Sequence, residues 1–305
     1  MGACIESVAT RRARGGPLAP GALQLSDAAG RACLDGAHRR AGELDLLVNA
    51  GLYKNKNMAE PALASIIQED LGANLGHPPR HDRHGTFSFD VMNGGCGVLT
   101  ALHLIDSFVG PGTAQLGMVV AADADPAPRT SRGFPFPPVG GAVLLGHTDA
   151  AEGFARFEFH TFVEHSELFE ARVAFEPSTG HGVLGHRGRS VLEVREDPRF
   201  AAVCVERATD VTRGFLERMS LGAGDVDVLV ASAYPPGFAV DVARAVGIAA
   251  DRVPQLPSEL ASAHTAGPIA ALAAAKDSGR FARARNVLFV AAGAGVTVAV
   301  ALYRR

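Results

Sequence analysis

The chain has 305 residues, 47% hydrophobic and 20% charged, with a formal net charge of −3. That length supports a large core in two halves or two domains, and the balanced charge leaves no electrostatic footprint for nucleic acid or an anionic membrane. Its four cysteines, Cys4, Cys33, Cys96 and Cys204, have neither CxxC nor zinc spacing, which argues against a metal knuckle or a disulfide framework and for a reduced, cytoplasmic setting.

In chain order, the opening stretch MGACIESVATRRARGG lacks the continuous apolar run of a signal peptide. SDAAGRACLDGAHRR, from Ser26, then reads as an amphipathic helix capped by that serine, and Leu44 to Asn49 as a buried strand. MAEPALASIIQEDLG is a second helical segment, and the loop HPPRHDRH, His77 to His84, reads as solvated rather than metal-binding. FSFDVMNGGCGVLTALHLIDSFV, from Phe87, is a strand, a glycine-rich turn and an apolar helix. LGMVVAAD and VGGAVLLG are continuous apolar strands of the kind covered by helices on both faces. Between Asp125 and Arg195 the Pro-, Gly- and His-rich composition suggests connecting and pocket-forming structure. In FHTFVEHSELFEARVAF, aromatic and acidic residues alternate as strand and packing.

The second part repeats the first. TDVTRGFLERMSLGAGDVDVLVASAY, with Thr209 as expected cap, matches the Ser26 segment, and the cores AGELDLLVNA and AGDVDVLVAS stand 182 residues apart. PGFAVDVARAVG and AHTAGPIAALAAAKDSG follow as helices, then the strand NVLFVAA. The expected architecture is therefore α/β: two pseudo-duplicated halves, residues 1–175 and 176–305, with mixed sheets sandwiching helices. No GxGxxG, Walker or flavin signature is present, so neither redox nor nucleotide-hydrolysing chemistry is expected.

Cys96 is placed for chemistry. A thiol in the first turn of a helix feels the positive end of the dipole, which lowers its pKa, and Gly94 and Gly95 permit a sharp turn. The bland alternative is a small buried residue in a tight turn. The segment resembles the active-cysteine region of the thiolase superfamily, most closely its β-ketoacyl-ACP synthase III branch. LDLLVNAG, EPALASIIQEDLGA, VGGAVLLG and GAGVTVAVALYRR follow in that family's order.

The resemblance implies a five-layered α-β-α-β-α thiolase fold and an acyl-accepting nucleophile at Cys96. It implies acyl-CoA or an acyl carrier protein as substrate, no further cofactor or metal, and a homodimer. Two positions depart from the branch. Where a histidine is usual after the first strand of the second half, a gapless alignment places Ser232, followed by Tyr234 and two prolines. The later asparagine position is matched best by His264, in an AHTAG context, over Ser262. His264 is thus the expected base and Glu259 its expected partner. The backbone amides of Cys96 and Ala294 are the expected oxyanion donors, with Ser232, Tyr234 or Tyr53 as substitute donors for the missing histidine. Arg129 and Arg132, with Arg80 and Arg83, are phosphate-binding candidates by charge. Loss of the family's histidine, one of two polar donors on the enolate, favours plain acyl transfer. Decarboxylative condensation is the alternative, and a non-catalytic partner subunit the third reading.

Overall fold

The structure, a computed structural model, describes residues 2–13, 19–58, 60–75, 85–128, 130–176 and 188–305. Its first sheet has the order β1-β5-β4-β2-β3, formed by Gly2–Arg12 (β1), Leu46–Asn49 (β2), Phe87–Asp90 (β3), Leu116–Asp123 (β4) and Val139–Thr148 (β5). Two helices, Ala22–Gly36 (α1) and Leu63–Leu71 (α2), cover one face, and Gly97–Val109 (α3) lies on the other. A two-stranded ribbon, Phe169–Glu176 (β7) and Arg189–Glu196 (β8), stands apart. The second large sheet has the order β6-β11-β10-β9, from Gly153–Thr161 (β6), Val228–Ala231 (β9), Asn286–Gly293 (β10) and Thr297–Arg304 (β11). Its helices are Phe200–Arg218 (α4) and Phe238–Val246 (α5) outside, and Gly267–Asp277 (α6) inside.

The period-two alternation of strands builds the layers. Leu46 and Val48 of β2 face the central layer while Leu47 meets α1 and α2; Val287, Phe289 and Ala291 of β10 face the centre while Leu288, Val290 and Ala292 meet α4 and α5. Each fully buried Val or Leu contributes about 1.5–3 kcal/mol, so a one-residue slip of either strand would exchange two cores at once. The result is the expected α-β-α-β-α sandwich.

The internal repeat survives at the level of single hydrogen bonds. Asp45 accepts the amides of Gln115 (2.7 Å) and Leu116 (3.1 Å); Asp227 accepts those of Arg285 (2.8 Å) and Asn286 (3.0 Å). The second sheet copies the first strand for strand, β6 for β1, β11 for β5, β10 for β4 and β9 for β2, in the same parallel and antiparallel senses, and among the described residues β3 has no counterpart. The copy begins at β6, so the chain changes sheets between Thr148 and Gly153.

Two expected helix starts are also displaced. α1 begins at Ala22 and α4 at Phe200, so Ser26 and Thr209 lie inside helices. Thr209 Oγ1 donates to the Val205 carbonyl one turn back (2.7 Å) instead of capping. The segment expected to be connecting structure holds β5 and β6, both integral strands. Among the described residues no helix is long and apolar enough to cross a membrane.

A surface acid pair gives a stability test. Burial, then the hydrogen bond and charge of Asp70, push half-buried Asp27 up to about 7. In the unfolded chain the same group titrates near 4. The native state therefore holds the proton more tightly, and stability falls as pH rises through about 4 to 7. Asp27→Asn should raise the Tm at pH 8 by a few degrees and give no gain at pH 4, by calorimetry at both values. An equal shift at both would show the pair is unlinked to folding.

Candidate functional site

The Gly94–Cys96 turn follows β3 and is held by side-chain staples: Asn93 Nδ2 donates to Thr100 Oγ1 (3.0 Å), which donates to the Cys96 carbonyl (3.0 Å). Gly94 lies at φ +47°, a left-handed conformation that favours glycine. At Gly95 a Cβ would run into the Ala292 carbonyl, and a Cβ on Gly293 would come 2.8 Å from the Gly95 nitrogen. The turn and the β10–β11 hairpin thus meet backbone to backbone, which places Cys96 against the second sheet.

Cys96 is completely buried. Its Sγ lies 3.3 Å from the Thr297 carbonyl and 3.6 Å from the Ala291 carbonyl, so the thiol donates to backbone oxygens rather than to an imidazole. Burial pushes it up to about 12. The helix-dipole expectation of a lowered pKa is reversed, because desolvation outweighs a terminal dipole and the neighbouring carbonyls favour the protonated form. The Cys96 amide donates to the Asn93 carbonyl at 2.9 Å, closing the turn, and so is not a free oxyanion donor in this arrangement. Ala294 sits exposed at the hairpin tip between Gly293 and Gly295. Buried Cys204 of α4 feels the charge of Cys96 and of Glu196, and its thiol is likewise pushed up, chiefly by burial.

His264 precedes α6 and is set by a residue that sequence reasoning missed. Asp123, fully buried at the end of β4, accepts the amides of His264 (2.8 Å), Thr265 (2.9 Å) and Ala266 (3.2 Å) and the Thr265 hydroxyl (2.7 Å). Without that acceptor, each N–H stranded at the helix start would cost about 1–3 kcal/mol. Glu259, the expected partner, is exposed and bonds Ser258 instead (3.2 Å). Solvent competes for a carboxylate there, whereas Asp123 is delivered from inside the opposite half.

The imidazole lies in an aromatic box. Phe136 stacks on it at 4.4 Å between centroids, Tyr53 lies at 5.6 Å, Tyr234 at 5.9 Å and Phe169 at 6.2 Å. Burial lowers the His264 pKa, opposed by the charge of Asp123. Its Nδ1 and the Tyr53 hydroxyl are both buried without a hydrogen-bond partner. Tyr53 is delivered by the loop after β2, tied down by Asp90, which accepts Lys54 Nζ and the amides of Leu63 (2.9 Å) and Ala64 (2.8 Å). The Phe residues come from GFPFPP and the start of β7, apolar positions whose role is decided only by tertiary packing.

The substitute donors are divided. Ser232 Oγ accepts the Ala292 amide (3.4 Å) and pins β9 to β10. Tyr234 donates its hydroxyl to Glu196, and burial followed by that contact pushes its pKa up. Tyr53 alone of the three keeps an unengaged hydroxyl. Arg132 is paired with Glu176 (2.6 Å) and Glu193 (2.8 Å) in the β7–β8 ribbon, so its charge is already matched by carboxylates rather than held open for phosphate. Arg80, Arg83, Arg129 and the HPPRHDRH loop lie outside the described residues. Among the described residues no group of three His, Cys, Asp or Glu side chains is placed to hold a metal.

Comparison with known proteins agrees with this layout. Residues 216–305 match the family described as 3-oxoacyl-[acyl-carrier-protein] synthase III C terminal. A β-ketoacyl-[acyl-carrier-protein] synthase III of Thiobacillus denitrificans is 28% identical over 92% of this chain and 83% of its own length. One from Rhodospirillum centenum is 29% identical over the same shares. The solved 3-oxoacyl-[acyl-carrier-protein] synthase III of Aquifex aeolicus superposes with a TM-score of 0.78 over the whole of both chains at 18% identity. A variant of Xanthomonas campestris OleA with bound lauric acid and lauroyl-CoA gives 0.79 over 100% of this chain and 99% of its own, at 14% identity.

The fold is that of the solved 3-oxoacyl-[acyl-carrier-protein] synthase III and OleA structures. The relatives the chain resembles are named β-ketoacyl-[acyl-carrier-protein] synthase III, which are transferase enzymes.

The closed state of Cys96 is directly measurable. With a thiol at about 12, the thiolate fraction at pH 8 is about one part in 10⁴. Iodoacetamide should therefore alkylate the partly exposed Cys4 of the native chain and leave Cys96 unmodified until the protein is denatured, by peptide mass mapping. Native labelling of Cys96 at the rate of Cys4 would contradict the closed arrangement.

Proposed function

We propose that the protein is an acyltransferase that takes an acyl group from a thioester donor, acyl-CoA or an acyl carrier protein, onto Cys96 and passes it to a nucleophilic acceptor, with His264 as the proton-transfer group. The observation that carries this reading is a neutral, buried imidazole at His264, while the position where the family's histidine would stand is a serine whose oxygen accepts the Ala292 amide. Acyl transfer needs one base; decarboxylation needs two donors on the enolate oxygen. The resemblance to synthase III relatives and the thioester named with the OleA structure support the donor class.

In the loading step the Cys96 proton leaves by way of the His264 imidazole, the Sγ–acyl bond forms, and the donor's C–S bond breaks to give its free thiol. In the second step an acceptor O–H or N–H attacks, its proton passes to His264, and Cys96 is regenerated as a thiol. Because Cys96 rests closed on carbonyls, loading requires the Asn93–Gly95 turn to move, which makes acylation dependent on a bound donor. A cytoplasmic homodimer is the assembly and setting we propose with this activity.

A second reading, decarboxylative condensation with a malonyl thioester, is favoured by the free Tyr53 hydroxyl. Incubation with a panel of acyl-CoAs and acyl carrier proteins, followed by intact-mass measurement, should show one acyl adduct on wild type and none on Cys96→Ala. His264→Ala should load roughly 10²–10⁴-fold more slowly. Brisk CO2 release from a malonyl donor would replace plain transfer by condensation; absence of any adduct would remove both.

A further inference from the structure

We propose that Tyr53 is a catalytic residue whose hydroxyl, together with the His264 imidazole, clamps one oxygen of the substrate, the carbonyl oxygen of a thioester. This rests on the proposed thioester chemistry, but it concerns the oxygen-binding half of the site rather than the nucleophile.

The first observation is an imbalance of polar groups. Buried hydroxyls and ring nitrogens find partners in native proteins, because each one left unmade costs stability. In this box two are left unmade side by side: the Tyr53 hydroxyl and His264 Nδ1, on rings whose centroids are 5.6 Å apart. Both residues are more than nine-tenths buried, at 4% exposure each. The surrounding Phe134, Phe136 and Phe169 offer neither group a hydrogen bond.

The second observation is that the site's other polar groups are committed. Tyr234 donates to Glu196, Ser232 Oγ accepts the Ala292 amide, and Asp123 accepts from the turn that carries His264. The Tyr53 hydroxyl and His264 Nδ1 remain the buried polar atoms of the box without a partner. Burial, with the charges of Asp123 and Tyr234 behind it, keeps the Tyr53 phenol protonated, so it acts as a donor and not as a base. With its proton on Nδ1 the neutral imidazole donates from that nitrogen and leaves Nε2 to take and return protons. Two unpartnered polar groups on neighbouring rings in an apolar box would select an acceptor oxygen on an otherwise apolar group, and their pull would grow as negative charge develops on it. No proton is transferred by Tyr53: it donates a hydrogen bond that strengthens and relaxes as the carbonyl becomes an oxyanion and returns.

Tyr53→Phe isolates the role, because it removes an oxygen that has no partner in the free protein. Its Tm should equal or exceed that of wild type. In a Cys96→Ser background, calorimetric titration should show butyryl-CoA binding roughly 3–10-fold more weakly once Tyr53 is Phe, while S-butyl-CoA, a thioether without the carbonyl, binds equally to both. In the Cys96-containing protein, acyl loading should fall by roughly 10²–10³ in rate with little change in KM.

A lowered Tm, equal losses for thioester and thioether, or no effect on thioester binding would each overturn the proposal. Failure of Cys96 to carry an acyl group in the mass experiment would instead remove the acyl-transfer reading, and the thioester–thioether difference would still report on Tyr53.

Discussion

The buried carboxylate of Asp123 is the constraint on which the site depends. It ends a strand of the first sheet and receives three successive amides and a hydroxyl from the turn of the second half that begins α6. A negative charge at a helix start is favoured by the dipole, and the amides have no other acceptor within the helix. One residue thereby joins the two halves, holds the backbone that carries His264 and opposes the desolvation of its ring by charge. Displacing it would loosen the join and the imidazole together.

A second join runs through glycine. The Gly94–Cys96 turn and the Gly293 end of β10 approach so closely that neither Gly95 nor Gly293 has room for a side chain. That approach carries Cys96 into the backbone of the second sheet and decides its chemistry in the resting state. Dipole and desolvation act in opposite directions on the thiol, and complete burial wins. Cys96 and His264 are therefore both held in uncharged forms, each in its own dry setting.

Much of the architecture was legible because it rests on local rules. Continuous apolar strands bounded by glycine announced a covered sheet, and the twin LDLLV and VDVLV cores announced the duplication; Asp45 and Asp227 then prove to make the same pair of backbone bonds. Helix starts were less legible. Ser26 and Thr209 look like caps, yet both helices extend upstream, because packing of α1 and α4 on their sheets outweighs the modest worth of one cap. The change of sheet at β6 was hidden because a strand carries no label of its partner.

Sequence alone determined the fold class, the two halves, the turn holding Cys96 and the candidacy of His264, because periodicity, glycine spacing and motif order are properties of the chain read locally. Tertiary structure decided the rest. It chose Asp123 over Glu259, spent Ser232, Tyr234 and Arg132 on other partners, and left the Tyr53 hydroxyl free. The physical reason is that a polar side chain's role is set by what else competes for it and by how much water is excluded. Both depend on residues far away in the chain.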